Sequence, residues 1–232
     1  MSALEVLYED NHIIAINKRC GDIVQGDKTG DKTLGDEVKE YLKAKYHKPG
    51  NVYLGVTHRI DRPTSGIVLF ARTSKMLTRL NNLFKEDKTI HKTYWAVVDK
   101  KPAQENLYLK HWITRDTRQN KSFAFDQEQK DSQKASLTLH YLQSSDRFHL
   151  VEIELHTGRH HQIRAQLAAI GLHIKGDLKY GFPRSDKNGG IHLHARKVEF
   201  IHPVTNQNIS IIAAPPEDPL WDYFMHNIDQ KH

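Results

Sequence analysis

The sequence predicts an α+β fold on a mainly antiparallel sheet, and three observations carry that prediction. Short apolar runs bounded by turn residues lead the chain in hairpin fashion, and three amphipathic segments are inserted among them. No internal repeat, low-complexity linker or composition shift divides the chain, so a single domain over residues 1–232 is expected. A chain of 232 residues is long enough to bury a sizeable core.

The elements follow in order. Leu4, Val6 and Leu7, then Ile13, Ile14 and Ile16, flank Glu9-Asp10-Asn11 and read as a β-hairpin. Thr33 to Lys48 reads as a helix: Thr33 and Asp36 have capping-box spacing, Leu34, Val38, Leu42 and Tyr46 share a face, and Pro49-Gly50 stops the run. Ile67-Val68-Leu69-Phe70 is the continuous apolar run of a buried strand. Ser74 to Asp87 is a second helix, with Leu77, Leu80, Leu83 and Phe84 as its stripe. Strands are expected at Tyr94–Val98, Leu137–Leu142 and Phe148–Leu155, with a polar surface excursion from Arg115 to Lys134. A third helix starts near His161 and ends at Gly171, and strands follow at His192–Phe200 and Ile209–Ala213.

The formal charge is +6, with sixteen further histidines, which points to a polyanionic partner, most simply nucleic acid. Cys20 is the only cysteine, which excludes an internal disulfide and a cysteine-based zinc site. The first residues lack the charged start and apolar run of a secretory signal, and the apolar stretches are too short to cross a bilayer. A reducing compartment, the cytoplasm, is the expectation, with no membrane partner.

The most informative stretch is His58-Arg59-Ile60-Asp61-Arg62-Pro63-Thr64-Ser65-Gly66, immediately before the buried strand. It sets one carboxylate among two arginines and a histidine in a loop at the end of a strand. Nearby cations favour a charged carboxylate, which suits a nucleophile or base and not a general acid. An isolated Arg-x-Asp more often braces a loop, so the reading depends on what accompanies it.

Three segments accompany it. They are Lys92-Thr93-Tyr94, then Thr157-Gly158-Arg159-His160-His161-Gln162-Ile163-Arg164, then Gly176-Asp177 with Tyr180-Gly181. Together with the Asp61 block they resemble the sequence blocks of the RluA family of pseudouridine synthases. Leu7-Tyr8-Glu9-Asp10 with Ile16-Asn17-Lys18 resembles that family's opening hairpin, and Leu193-His194-Ala195, Phe200-Ile201-His202-Pro203 and Ala214-Pro215-Pro216 its closing segments.

The resemblance implies the pseudouridine synthase fold, a twisted mixed sheet with a central catalytic cleft, and chemistry without metal or cofactor. It implies that Asp61 is the catalytic aspartate, Tyr94 the aromatic against the target base, and Arg164 the basic residue that pairs with the aspartate. It makes Arg59 the side chain that fills the space left by a flipped nucleotide. His58, Arg62, Thr64, Lys92, Arg159 and His161, which lie in the same blocks, are the further candidates for RNA contact. It implies an RNA partner, ribosomal or transfer, most simply a stem-loop of 23S ribosomal RNA, with no DNA partner and a monomeric enzyme. Two departures stand out. Lys18-Arg19-Cys20-Gly21 replaces the usual Lys-Pro-Ala/Ser-Gly, and the S4 domain that precedes many relatives is not expected.

Rival readings are weaker. His156 and His160, His192 and His194, and the His160-His161 pair have metal-like spacings, but no His-Glu-x-x-His helix or carboxylate cluster accompanies them. A glycosidase needs two cooperating carboxylates, and the Asp61 block offers one, Asp177 reading as a turn residue. A catalytically inert RNA-binding module would not require Asp61, Tyr94 and Arg164 together.

Overall fold

The computed structural model describes residues 4–26, 30–85 and 90–229, and the chain forms two compact units. The first comprises residues 1–91 and 195–214, the second residues 92–194 and 215–232.

In the first unit, β1 (Val6–Glu9) and β2 (Ile13–Lys18) form the expected hairpin. Asp10 makes its turn, with Oδ1 accepting from the amides of His12 and Ile13 at 2.7 Å each. Next come α1 (Leu34–Lys45), β3 (Gly55–Val56), β4 (Ser65–Ala71) and α2 (Ser74–Lys85). The expected end of α2, at Glu86 and Asp87, lies outside the described residues. The α1 start is the capping box read from the sequence, with Thr33 and Asp36 each accepting from the other's backbone amide.

Strand β4 pairs antiparallel with β2, from Ile13↔Ala71 to Lys18↔Gly66, and lies between β2 and β10 (Leu193–Ile201). β11 (Asn208–Ile212) adds antiparallel to β10, and β3 to β4. Every residue of β4 is buried because both faces of the strand are covered. Ile67, Leu69 and Ala71 pack with Ile13, Ala15, Met76 and Leu80 under α2. On the other side a Cβ at Gly35 of α1 would touch the Phe70 ring at 3.9 Å.

The second unit holds an antiparallel sheet in the order β5-β9-β8-β6-β7. Its strands are β5 (Ile90–Val98), β6 (Asn106–Asp116), β7 (Lys121–Phe125), β8 (Gln133–Ser144) and β9 (His149–Leu155). Both β5 and β10 straddle the boundary between the units. α3 (Gln162–Ala169) lies against β6 and β7, and a single 3₁₀ turn (Leu178–Tyr180) follows. On the opposite face Trp221 and Phe224 of α4 (Pro219–Asp229) pack on Trp95, Val97 and Leu150.

Four elements depart from the sequence expectation, the two-residue β3 among them. The Arg115–Lys134 excursion contains β7 and the ends of β6 and β8, and β6 itself carries His111 on its buried side and aromatics on its outer side, which hides the alternation. α4 was not expected, although Asp218-Pro219 is a helix start, with Asp218 Oδ1 accepting from the Leu220 amide at 2.9 Å.

Candidate active site

The Asp61 loop joins β3 to β4 in the first unit. Ile60 is buried and pins the loop to the core. Asp61, half-buried, opens a tight turn closed by the Thr64 amide donating to the Asp61 carbonyl at 3.0 Å. Gly66 then enters β4 at φ +111°, where a Cβ would lie 2.4 Å from the Ala195 carbonyl oxygen. Only glycine lets β4 approach β10 this closely.

Lys18, a residue passed over in the sequence as part of a hairpin, holds this loop from beneath. Its side chain is 1% exposed, and Nζ donates to the carbonyls of Arg19, Asp22 and Arg62 at 2.8, 2.9 and 3.1 Å. Burial pushes its ammonium down from 10.5 to about 8, opposed by the charges of Cys20, Asp22 and Asp61. The Gly21 amide also donates to the Arg62 carbonyl at 2.9 Å, and Arg62 Nε returns a bond to the Gly21 carbonyl at 3.0 Å. The Lys18-Arg19-Cys20-Gly21 departure therefore falls on the clamp of the Asp61 loop. Arg19, standing where the family usually has proline, ties the turn to Asp22 at 2.9 Å and to Glu37 of α1 at 3.2 Å. The signal in the sequence was a lysine ending a strand whose first four residues are apolar.

The other candidates of this block divide by environment. Arg59 is exposed. Arg62 is exposed and pairs with Asp31 at 3.4 Å. His58 Nε2 accepts from the Leu69 amide at 3.0 Å, and its ring lies 4.6 Å from that of Phe84, so it braces β4 in its neutral form. Thr64 is buried, and its Oγ1 has no hydrogen-bond partner among the described residues.

In the second unit Tyr94 stands on β5 opposite Ile153, buried. Arg164 lies in the first turn of α3, also buried. Its Nε and Nη2 donate to the two carboxylate oxygens of Asp177 at 2.7 and 2.8 Å, and Asp177 is 1% exposed. A bidentate buried pair of this kind fixes the guanidinium plane, which lies over the Tyr180 ring at 4.9 Å. Asp177, read from sequence as a turn residue, is thus the anchor of Arg164. Gly176 before it, at φ +86°, leaves room for Asp186, whose Oδ2 a Cβ there would meet at 2.6 Å.

The entry to α3 is held by side chains. Gln162 Oε1 accepts from Thr157 Oγ1 and the Arg159 amide, and its Nε2 donates to the Ser136 carbonyl. His161 adopts φ +51° at the helix start, with Nδ1 3.0 Å from the Tyr180 hydroxyl and its ring stacked on His160 at 3.8 Å. Burial, aided by Arg164, lowers His161 from 6.5 to about 2. It is uncharged at neutral pH and braces the start of α3 against Tyr180. Arg159 is exposed, with Nε on the Lys134 carbonyl at 3.1 Å, and Lys92 is half-buried near Gly158.

The histidines with metal-like spacing are engaged otherwise. His156 meets Thr138 Oγ1 at 2.7 Å, His160 meets Ser122 Oγ at 2.8 Å, and His192 lies between Asp186 and Asp218 at 2.7 and 3.1 Å. Among the described residues no group of three His, Cys, Asp or Glu side chains is placed to hold a metal ion. Among them, too, no helix is long and apolar enough to cross a membrane.

An antiparallel α+β fold with a carboxylate in a strand-entry turn and a buried, carboxylate-anchored arginine on a short helix defines a class, the pseudouridine synthase fold. The solved structure of human RNA pseudouridylate synthase domain containing 4 superposes with a TM-score of 0.77, at 22% identity, over 96% of this chain and 92% of that one. The domain containing 1 homologue gives 0.74 at 23%, over 95% and 87%. The family described as RNA pseudouridylate synthase matches residues 12–169, and the chain belongs to it. The uncharacterized RNA pseudouridine synthase YlyB of Bacillus subtilis is 32% identical over 218 residues, 93% of this chain and 70% of the relative. The ribosomal large subunit pseudouridine synthase D of Xylella fastidiosa is 33% identical over 230 residues, 93% and 67%. The tRNA pseudouridine synthase C of Haemophilus influenzae is 29% identical over 242 residues, 96% and 97%. The chain is an RNA pseudouridine synthase, an isomerase.

Proposed function

We propose that this enzyme isomerises uridines of large-subunit ribosomal RNA, with Asp61 as the catalytic carboxylate and Tyr94 and Arg164 as its partners. The observation that carries the assignment is the construction of the Asp61 loop. A buried lysine, a buried isoleucine and a close-approach glycine fix its backbone, while the Asp61 side chain stays half-exposed. The family match spans all three residues.

The reaction breaks the N1–C1′ bond of the nucleotide, turns the uracil and joins its C5 to C1′. The hydrogen on C5 leaves as a proton, and N1 gains one, so nothing is oxidised. A carboxylate can start this by attacking carbon covalently, or by stabilising charge at C1′ and removing a neighbouring ribose proton. The target must leave its stack, at about a few kcal/mol. Tyr94 offers the extruded base a stacking surface worth about 1–3 kcal/mol. Arg59, exposed, fills the vacated stack, and Arg164 contributes a guanidinium whose plane Asp177 fixes. Arg62, Arg159 and Lys92 complete the RNA contacts, and the enzyme works as a cytoplasmic monomer.

Transfer RNA is the second reading, favoured by one observation: the tRNA pseudouridine synthase C relative matches over 97% of its own length. The test is tritium release from total RNA of a synthase-deficient strain, labelled at uracil C5. Wild type should release tritium, and Asp61→Asn should bind the RNA and release none. An active Asn variant defeats the mechanism, and mapping the modified position decides between ribosomal and transfer RNA.

A further inference from the structure

In the second unit the outer face of β6, β7 and β8 is unlike an ordinary solvated sheet. Cross-strand partners share a face, so the register defines it: Trp112 stands opposite both Phe125 and Lys134, Thr114 opposite Phe123, Lys110 opposite Ser136, and Tyr108 opposite Thr138. The alternate residues Leu109, Ile113, Leu137 and Leu139 point the other way into the core. Tyr108 is 64% exposed, and Phe123 and Phe125 are 37% exposed each.

Cations are interleaved with these rings. Lys134 Nζ lies 5.0 Å over the Trp112 ring and Lys121 Nζ 5.3 Å over the Phe123 ring, while Lys110 is exposed between Tyr108 and Trp112. The His156 ring lies tilted beside Tyr108 at 5.9 Å, and Arg159 is attached at the Lys134 carbonyl. The acids lie at the margins: Glu152 and Glu154 on β9, Asp116 at the β6–β7 turn, where it caps its own hairpin, and Asp126, Glu128 and Asp131 in the β7–β8 connection.

This face is separate from the site already described. Tyr94 stands opposite Ile153, and Ile153 opposite Leu139, which places Tyr94 on the reverse, buried side of the same sheet.

We propose that the β6–β7–β8 face is a second RNA-binding surface, which takes a single-stranded segment of the substrate RNA outside the target nucleotide. The proposal rests on the RNA-modifying function for the identity of its ligand. Exposed flat rings on a sheet give stacking positions for unpaired bases, and lysines between them meet the phosphates. Strands lie about 4.8 Å apart and rise about 3.3 Å per residue. The patch therefore suits a few nucleotides laid across three strands. The same lysines argue against a second copy of this chain, because a two-fold contact through this face would set Lys110, Lys121 and Lys134 against like charges.

The test uses fluorescein-labelled dodecauridylate and anisotropy in the Asp61→Asn background, so that no turnover occurs. The triple variant Tyr108→Ala/Phe123→Ala/Phe125→Ala alters only exposed rings and should weaken binding by roughly tenfold or more. Lys110→Gln/Lys134→Gln should weaken it too and make it less salt-dependent, reducing the slope by about 1.4. Photo-cross-linking to 4-thiouridine RNA should mark the peptides carrying Tyr108 and residues 121–125. Binding by the triple variant within about twofold of its parent, or a wild-type dimer that the triple variant abolishes while RNA binding persists, overturns the proposal. Failure of tritium release by wild type would count against the Asp61 reading alone, because the anisotropy needs no chemistry.

Discussion

Asp177→Ala is the perturbation that most directly examines how Arg164 is held. The pair is buried at both ends, 5% and 1% exposed, and joined by two charge-assisted bonds of 2.7 and 2.8 Å. Removing one partner leaves a guanidinium in the core without its anchor, and breaking a buried pair in this way costs about 3–5 kcal/mol. In a unit of this size that is a fall in melting temperature of roughly 10 °C. Urea unfolding followed by circular dichroism measures it, alongside tritium release at saturating RNA. Activity should fall with stability, because the guanidinium plane is no longer fixed. The double variant Arg164→Met/Asp177→Leu should regain most of the stability, since an apolar pair can replace a buried ion pair at little cost, yet remain inactive. If Asp177→Ala loses less than about 1 kcal/mol, the pair is behaving as a surface ion pair and the anchoring argument fails.

Two further predictions concern the Asp61 clamp. Because burial lowers Lys18 to about 8 from 10.5, the folded protein releases this proton before the unfolded chain does. The unfolded chain then binds more protons between about pH 8 and 10.5, so the contribution of this site to stability rises with pH across that window, by roughly 3 kcal/mol. The stability difference between wild type and Lys18→Met should shift by about that amount between pH 7.5 and pH 10.5, and an unchanged difference refutes the burial of a charged lysine. Gly66→Ala should cost about 2 kcal/mol or more, because alanine is strained at this φ and its Cβ would meet Ala195 at 2.4 Å. Thermal unfolding measures it, and a neutral result would show that β4 and β10 can separate locally.

Much of the fold was legible because it is written in local chemistry. The Thr33–Asp36 box, the apolar stripe of α2 and the unbroken Ile67–Phe70 run each specify an element from within a few residues. The outer strands of the second unit were not, because their alternation is inverted by function-like residues: aromatics face out and His111 faces in. α4 was missed although Asp218 and Pro219 announce it, since its two anchoring rings make sense only against Trp95 and Leu150.

For the site, the sequence by itself located a carboxylate in a basic strand-entry loop and pointed to the family, which the match over residues 12–169 shows. Only the tertiary structure decided which charges are spent on architecture. It assigned Asp177 to Arg164, across thirteen residues of chain, and buried Lys18 under the carbonyl of Arg62, forty-four residues away. It also made His161 a neutral brace. The reason is physical: residue type and spacing disclose what a group can do, but its partner and its ionisation depend on burial and on neighbours brought together by folding.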